Sequence, residues 1–258
     1  MTSKRESRRA FLRGAGFAAA GWAAQQADWG IAARAVAADG PTKLGAVVDL
    51  SEHLAVYGGP INVGIVRDGS KALLIDCGDS RVMPLLREHG LTAVEQVLFT
   101  HHHRDQACGA SVLAESGSQL MAPAQERDHF DNVPAYWSNP SSRWHLYNQH
   151  PHHLMLAEPV PVSGVVNDGQ TVRWGPATIH VLATPGHTDG SVTYLVEVDG
   201  KRVAFCGDTI YDTGRLWELY SLQKGTVTSD YHGFLGARPQ LVASLQRIKQ
   251  AEPSRLVP

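Results

Sequence analysis

The sequence predicts one α/β domain, because short β-branched runs alternate with helical patterns along most of the chain. At 258 residues the chain is long enough for one substantial domain and does not require a second. Its hydrophobic fraction of 43% and charged fraction of 19% are ordinary for a globular protein. The 25 glycines and 14 prolines indicate many turns.

The first half of the domain is predicted to open with antiparallel strands and to continue with alternating helices and strands. A helix capped by Ser80 is expected to end at Gly90, because Val82, Leu85 and Leu86 share one face. Further helices are predicted over residues 107–116 and, as a helix or turn, 124–130. Strands are predicted at residues 44–50, 61–66, 72–75, 96–100 and 119–121.

The second half is predicted to return to β-structure after an inserted loop or loose helical segment over residues 132–161. Leu241, Leu245 and Ile248 recur at helical spacing and indicate an amphipathic helix near the end. A last strand is expected to begin at Leu256. The other predicted strands lie at residues 160–162, 171–174, 177–183, 191–198 and 202–206.

The N-terminal segment is typical of an export signal, since basic residues precede an uncharged Ala/Gly-rich stretch over residues 14–24. The run Ser7-Arg8-Arg9-Ala10-Phe11-Leu12-Arg13 resembles a twin-arginine signal, and cleavage is expected after residue 37 or 38. We therefore expect a signal peptide over residues 1–38, a domain over residues 39–258, and a periplasmic or extracellular location without stable membrane insertion. The alternative is an uncleaved anchor or a basic N-terminal helix.

The charge balance argues against a nucleic-acid partner, because the net charge is −2 and becomes more acidic once residues 1–38 are removed. A small-molecule substrate is the expected partner, and the sequence leaves the oligomeric state open. The three cysteines, Cys77, Cys108 and Cys206, lack the spacing of a disulfide framework or a zinc knuckle. We expect them to be mostly buried as small apolar residues.

Metal ligation is suggested by the run His101-His102-His103-Arg104-Asp105-Gln106, which begins at the end of a predicted buried strand. Zinc and iron both favour imidazole and carboxylate ligands, although adjacent histidines can also form a surface patch. His187 and Asp208 likewise come soon after predicted strands, in Thr184-Pro185-Gly186-His187-Thr188 and Cys206-Gly207-Asp208-Thr209. Each could separately be a turn residue, but three such loops in this order favour a metal site.

These segments resemble the motifs of the metallo-β-lactamase superfamily. Residues 100–105 are similar to its His-x-His-x-Asp-His motif, Leu74-Ile75-Asp76-Cys77-Gly78 precedes them, and residues 184–191 and 205–209 resemble its next two motifs. The similarity extends from Leu44 to the end of the sequence. It implies an αββα sandwich, in which two mixed sheets pack face to face between helices and the metal site lies at one edge.

The resemblance also implies roles for individual residues. A first metal ion would be bound by His101, His103 and His187. Asp208 would bridge this ion to a second, and Asp105 would bind the second ion. Asp76 would orient the loop from outside the ligand set, and His102 would point away from the metals.

The sequence departs from the family pattern in two places, both of which concern the second metal ion. Gln106 stands where the family usually has a histidine, and an amide is a weaker zinc ligand than imidazole. The family also places a final histidine just after a strand like residues 255–258, where this sequence stops. Either the chain is C-terminally truncated or the second site lacks that ligand, so we expect one firm Zn²⁺ site and a second with Gln106 as a tentative ligand.

The predicted function is hydrolysis by a metal-activated water of an ester, thioester, lactone or related small substrate. Asp105 or Asp208 would orient that water and accept its proton. One alternative is a mononuclear iron oxygenase resembling persulfide dioxygenases, with iron held by His101, His187 and Asp208. Another is an exported binding module that keeps the fold without efficient chemistry.

Overall fold

The computed structural model of the chain describes residues 45–79, 81–138, 155–211, 214 and 238–258. The predicted signal peptide and the predicted helix cap Ser80 lie outside these residues. So does most of the predicted insertion, since residues 139–154 are among those not described.

The first seven strands form one mixed sheet in chain order. Strands β1 to β4 pair antiparallel, whereas β4 to β7 pair parallel. Because parallel strands point the same way, the residues that follow β4 and β5 lie at the same edge of the sheet. The strands are Val47–Asp49 (β1), Leu54–Gly58 (β2), Asn62–Asp68 (β3), Lys71–Ile75 (β4), Ala93–Leu98 (β5), Gln119–Pro123 (β6) and Gly164–Val166 (β7).

The remaining five strands form a second sheet in the order β12-β11-β10-β9-β8. Its pairs are antiparallel, except that β12 runs parallel to β11. The strands are Thr171–Trp174 (β8), Ala177–Ala183 (β9), Val192–Val198 (β10), Lys201–Phe205 (β11) and Arg255–Val257 (β12).

Helices cover the outer face of each sheet. The first sheet packs against helices α1 to α5 through buried residues such as Val82, Leu113 and Phe130. The last helix lies against the second sheet, where Ser244 donates a hydrogen bond to the Pro185 carbonyl after β9. The helices are Val82–Glu88 (α1), Arg104–Ala107 (α2), Ala110–Glu115 (α3), Arg127–Asp131 (α4), Val133–Ser138 (α5) and Arg238–Gln250 (α6). None of the helices in the described part of the chain is long and apolar enough to span a membrane.

Two apolar clusters hold the layers together. In β4, Leu73 and Ile75 belong to the cluster between the sheets, and Ala72 and Leu74 belong to the cluster under the helices. Since both faces of this strand are buried, it has a continuous apolar run and no polar alternation. The predicted αββα sandwich is therefore confirmed.

Some predicted elements differ from the structure. Strand β2 was missed, and residues 160–162 do not form the predicted strand, because Val162 N–H donates to the Val160 carbonyl and the chain turns there. The helix predicted over residues 107–116 is divided into α2 and α3. Cys77 and Cys206 are buried as expected, but Cys108 is exposed.

Candidate metal centre

The loops that follow strands of both sheets meet at one edge of the sandwich. His101 follows β5 and His187 follows β9, while Asp208 lies in a short 3₁₀ turn, Gly207–Thr209, after β11. A backbone hydrogen bond of 3.0 Å from Val192 N–H to the Thr100 carbonyl joins the sheets beside the first of these loops. The predicted motifs are therefore neighbours in space.

Four of the predicted site residues form one compact donor cluster. One ligand atom from each of His101, His103, His187 and Asp208 lies within 4.8 Å of all the others. The three imidazole rings are mutually edge-on, with centroids 4.7 Å apart in each pair. The three histidines are buried, and the Asp208 side chain is only 18% exposed.

The spacing of these donors fits a metal ion. Ligand atoms about 2.1 Å from a tetrahedral Zn²⁺ lie about 3.4 Å from one another. Here His187 Nε2 lies 2.9 Å from His103 Nδ1 and 3.3 Å from Asp208 Oδ2. His101 Nε2 lies 4.0 Å from Asp208 Oδ2 and is buried without a hydrogen-bond partner among the described residues. A buried, unpaired imidazole nitrogen facing a carboxylate is suited to bind a cation.

The orientation of His101 is set by a chain of hydrogen bonds from Asp76. Thr100 donates its backbone N–H and its hydroxyl to the two Asp76 carboxylate oxygens, each at 2.8 Å. When Asp76 is ionised, the only hydroxyl proton of Thr100 is used there, and His101 Nδ1, at 3.0 Å, donates to the Thr100 oxygen. The His101 Nε2 lone pair is then left pointing into the cluster, as ligation requires.

The loop after β4 holds Asp76 in a strained conformation. Its φ of 58° lies in the left-handed region, which is uncommon for a residue other than glycine. Burial raises the pKa of Asp76 to about 7, although the hydrogen bonds from Thr100 act in the opposite direction.

Tyr211 orients His187 in a similar way, although no motif in the sequence indicates it. The Tyr211 hydroxyl donates to Asp208 Oδ2 at 3.2 Å and lies 3.1 Å from His187 Nδ1. Because its proton goes to Asp208, the hydroxyl oxygen accepts the Nδ1 proton of His187, whose Nε2 then faces the cluster. Burial and the neighbouring Asp208 charge raise the pKa of Tyr211, so the hydroxyl keeps its proton.

The environment of the cluster favours a neutral His101. Burial and the neighbouring His187 and His102 hold the pKa of His101 well below its usual value. Burial and the Asp105 charge raise the pKa of Asp208 well above the ordinary aspartate value. Beside a neutral imidazole, a buried carboxyl group whose ionised form is unfavourable would be stabilised as a carboxylate by a bound divalent cation.

The other two predicted ligands lie beside the cluster and line a cavity of about 180 Å³. Asp105 is exposed in the first turn of α2 and is not one of the four clustered donors. Gln106 is buried, and its side-chain amide donates to Asp208 Oδ1 at 3.1 Å. The cavity also contacts Asp208, Tyr211 and the apolar residues Ile61, Phe205 and Val257.

His102 points away from the donor cluster toward Glu126, a buried carboxylate that no motif in the sequence indicates. Its Nδ1 contacts Glu126 Oε2, and its ring stacks on His129 with a centroid distance of 4.2 Å. Burial tends to raise the pKa of Glu126, but the charge of His102 and hydrogen bonds from His102 and Thr188 outweigh it and lower this pKa to about 2.

Several curated proteins of similar sequence have the same name. The chain is 30% identical over 161 residues to the hydroxyacylglutathione hydrolase of Albidiferax ferrireducens, covering 60% of this chain and 51% of that protein. It is 27% identical over 194 residues to the hydroxyacylglutathione hydrolase of Acidiphilium cryptum, covering 75% and 60%. The chain therefore spans only about half to three fifths of the length of these relatives.

Solved structures with a similar fold include metallo-beta-lactamases. The subclass B3 enzyme BJP-1 of Bradyrhizobium japonicum superposes with a TM-score of 0.60 at 19% identity, covering 84% of this chain and 77% of that chain. A Cronobacter sakazakii enzyme described by its HARLDQ motif superposes with a TM-score of 0.57 at 17% identity, covering 82% and 75%. At these identities the likeness concerns the fold.

The family assignment rests on a match that covers more than half of the chain. The model of the metallo-beta-lactamase superfamily matches residues 56–258, which include all four donors of the cluster. The chain belongs to the metallo-beta-lactamase superfamily.

Proposed function

We propose that this chain is a metal-dependent hydrolase that acts on an ester, thioester, lactone or related small substrate. The observation that carries the proposal is the cluster of four donor atoms within 4.8 Å, with His101 Nε2 buried and unpaired among the described residues. Within a superfamily of hydrolases, this arrangement is best explained as the binding site of a catalytic metal ion.

The proposed ligands are His101, His103, His187 and Asp208, and Zn²⁺ is the proposed ion. Bound there, Zn²⁺ supplies a Lewis acid that polarises the scissile carbonyl and lowers the pKa of water toward neutrality. Gln106 holds the Asp208 carboxylate through Oδ1, and Tyr211 holds it through Oδ2. These contacts support a positioning role for Gln106, which we propose ahead of its ligation of a second metal ion.

Asp105 is the residue best placed to accept a proton during hydrolysis. It is exposed and lines the same cavity as Asp208. A general base must reach the attacking water, and a carboxylate on the cavity wall can do so. We therefore propose that Asp105 orients the water and takes its proton.

A thioester is the first substrate class to test. The curated relatives are named for hydrolysis of hydroxyacylglutathione, and a thioester carbonyl requires no chemistry beyond an activated water and a polarised oxygen. Apolar Ile61, Phe205 and Val257 give the cavity a wall for the carbon skeleton of a small acyl group.

The test compares the wild-type chain with His103→Ala and His187→Ala, using His89→Ala as a control because His89 lies at the exposed end of α1. Bound metals are quantified by elemental analysis, and hydrolysis is assayed on a hydroxyacylglutathione thioester, a lactone and a β-lactam. We expect bound zinc and hydrolysis in the wild type and the control. Both cluster variants should lose bound metal and at least ~100-fold of the rate.

The other outcomes separate the competing functions. Full activity of His103→Ala or His187→Ala would contradict the proposal. Bound iron with oxygen consumption would favour the oxygenase alternative, for which His101, His187 and Asp208 supply the ligand set. A folded wild-type chain that binds substrate equally well with and without metal, and never hydrolyses it, would identify a binding module.

A further inference from the structure

We propose that Glu126 is a positioning residue that fixes two ligand-bearing loops of the metal site relative to each other. The inference rests on the proposed function, since it concerns the same donor cluster. It assigns a role to a carboxylate that is not one of the clustered donors.

Glu126 occupies a position between the two loops. It lies in the turn after β6, directly before α4, and only 1% of its surface is exposed. Because β6 is the parallel neighbour of β5, the residues that follow these two strands lie at the same edge of the sheet. Glu126 is therefore buried beside the loop that begins at His101.

One carboxylate oxygen of Glu126 binds the first loop. Oε2 accepts a hydrogen bond of 3.1 Å from the backbone N–H of His102 and also contacts His102 Nδ1. His102 lies between the donors His101 and His103, so these contacts fix both the backbone and the side chain at the centre of the histidine run. His129 of α4 stacks on the same ring.

The other oxygen of Glu126 binds the loop from the second sheet. Oε1 accepts a hydrogen bond of 2.7 Å from the backbone N–H of Gly190, three residues after His187. The approach is close, because a Cβ at position 190 would lie 2.6 Å from Oε1. Glycine at this position therefore allows the carboxylate to reach the backbone of the His187 loop.

The arrangement requires a group with two acceptor oxygens. A glutamine has the same shape but offers one acceptor and one NH₂ donor, so one of the two loops would face a donor instead of an acceptor. Losing one of the two acceptor oxygens should let one loop move relative to the other, while every metal ligand stays in place. Substitution of a residue that orients a metal ligand usually lowers metal affinity about 10- to 100-fold, so a measurable loss of zinc affinity is expected.

The experiment uses Glu126→Gln and, as a control, Asp128→Asn, which makes the same charge change at an exposed position of α4. Zinc affinity is measured by competition with a chelator, and the site is examined by the visible spectrum of the Co²⁺-loaded protein. Hydrogen exchange of the Gly190 amide in the metal-free protein reports the loop contact directly. We expect Glu126→Gln to bind zinc ~10-fold more weakly or worse, to alter the Co²⁺ spectrum and to exchange the Gly190 amide faster.

A second variant guards against a failure of Glu126→Gln to fold. Gly190→Ala keeps the carboxylate but displaces it from the His187 loop, so it should weaken zinc binding in the same direction. The inference would be overturned if each of these two variants that folds bound zinc as tightly as the wild type. It would also be overturned if Asp128→Asn lost as much zinc affinity as they do.

The two proposals fail in different ways. If the wild-type chain binds no metal, the proposed function fails. If the wild type binds metal and hydrolyses its substrate but both variants match it in affinity and spectrum, only the role of Glu126 fails. Gly190 amide exchange remains a measurement of the contact itself in either case.

Discussion

Tyr211 joins two of the four donor residues through a single hydroxyl group. It donates to Asp208 Oδ2 and accepts from His187 Nδ1, so it fixes both the tautomer of the histidine and the orientation of the carboxylate. A half-buried phenol in this position acts on the metal site through its ligands, as the partners of metal-binding histidines commonly do.

Replacing Tyr211 with phenylalanine should weaken metal binding more than it weakens the fold. The variant removes only an oxygen atom, so we expect zinc affinity to fall ~10- to 100-fold. Tyr57→Phe serves as the control because Tyr57 is buried in the cluster under the helices. Chelator competition measures the affinities, and equal zinc affinity of Tyr211→Phe and wild type would contradict the assigned role.

The sequence allowed the four clustered donors to be predicted but not the residues that orient them. His101, His103, His187 and Asp208 lie in short motifs soon after strands, where local spacing carries the signal. Glu126 contacts His102 from 24 positions away, and the contact arises because β6 lies beside β5. No local pattern distinguishes such a carboxylate from a solvated one.

At the scale of the elements, a strand was predicted where its residues alternate in burial or where a turn signal delimits an apolar run. Strand β9 was predicted with its observed bounds, because its burial alternates along the first residues and gives the period of two that a half-buried strand requires. Strand β2 is buried at all five positions, and its last residue is Gly58, which with Gly59 is typical of a turn. A short apolar run carries no periodicity, so its recognition depends on the residues around it. Strand β4 follows the turn residues Asp68-Gly69 and was predicted, whereas β2 runs into Gly58-Gly59 and was missed.

The two sheets approach closely where a glycine faces an aromatic ring. A Cβ at Gly64 of β3 would lie 2.6 Å from Cε1 of Phe205 in β11. The side chain of Phe205 belongs to the cluster between the sheets, so neither strand can move away without disturbing that core.

We therefore expect Gly64→Ala to destabilise the fold by ~1–3 kcal/mol through overpacking. Chemical denaturation of the metal-free protein measures the free energy of unfolding. Adding Phe205→Leu should recover part of the loss, since the smaller side chain makes room for the methyl group, and a double-mutant cycle isolates this coupling. Strictly additive effects of the two substitutions would contradict the proposed contact.

At the scale of the whole molecule, a pair of polar residues connects a turn of the first sheet to a turn of the second. His53 lies between β1 and β2, and Asp199 lies in the β10–β11 hairpin. The backbone N–H and the Nδ1 of His53 each lie 2.8 Å from a carboxylate oxygen of Asp199. The hydrogen bond raises the pKa of His53 above 6.5 and lowers that of Asp199 to about 2.

This pair should make stability depend on pH in a predictable direction. The His53 contribution is complete below its unfolded pKa of about 6.5 and is lost as the pH rises through the higher folded value. The Asp199 contribution is complete above about pH 3.9 and is lost as the pH falls toward 2.

We expect Asp199→Asn to lower the melting temperature more at about pH 5.5 than at about pH 9. Asparagine tolerates the φ of 51° at this turn. Asp168→Asn is the control, because Asp168 pairs with Arg247, whose charge does not titrate in this range. An equal loss from Asp199→Asn at both pH values would show that the charge of His53 does not contribute to the connection between the sheets.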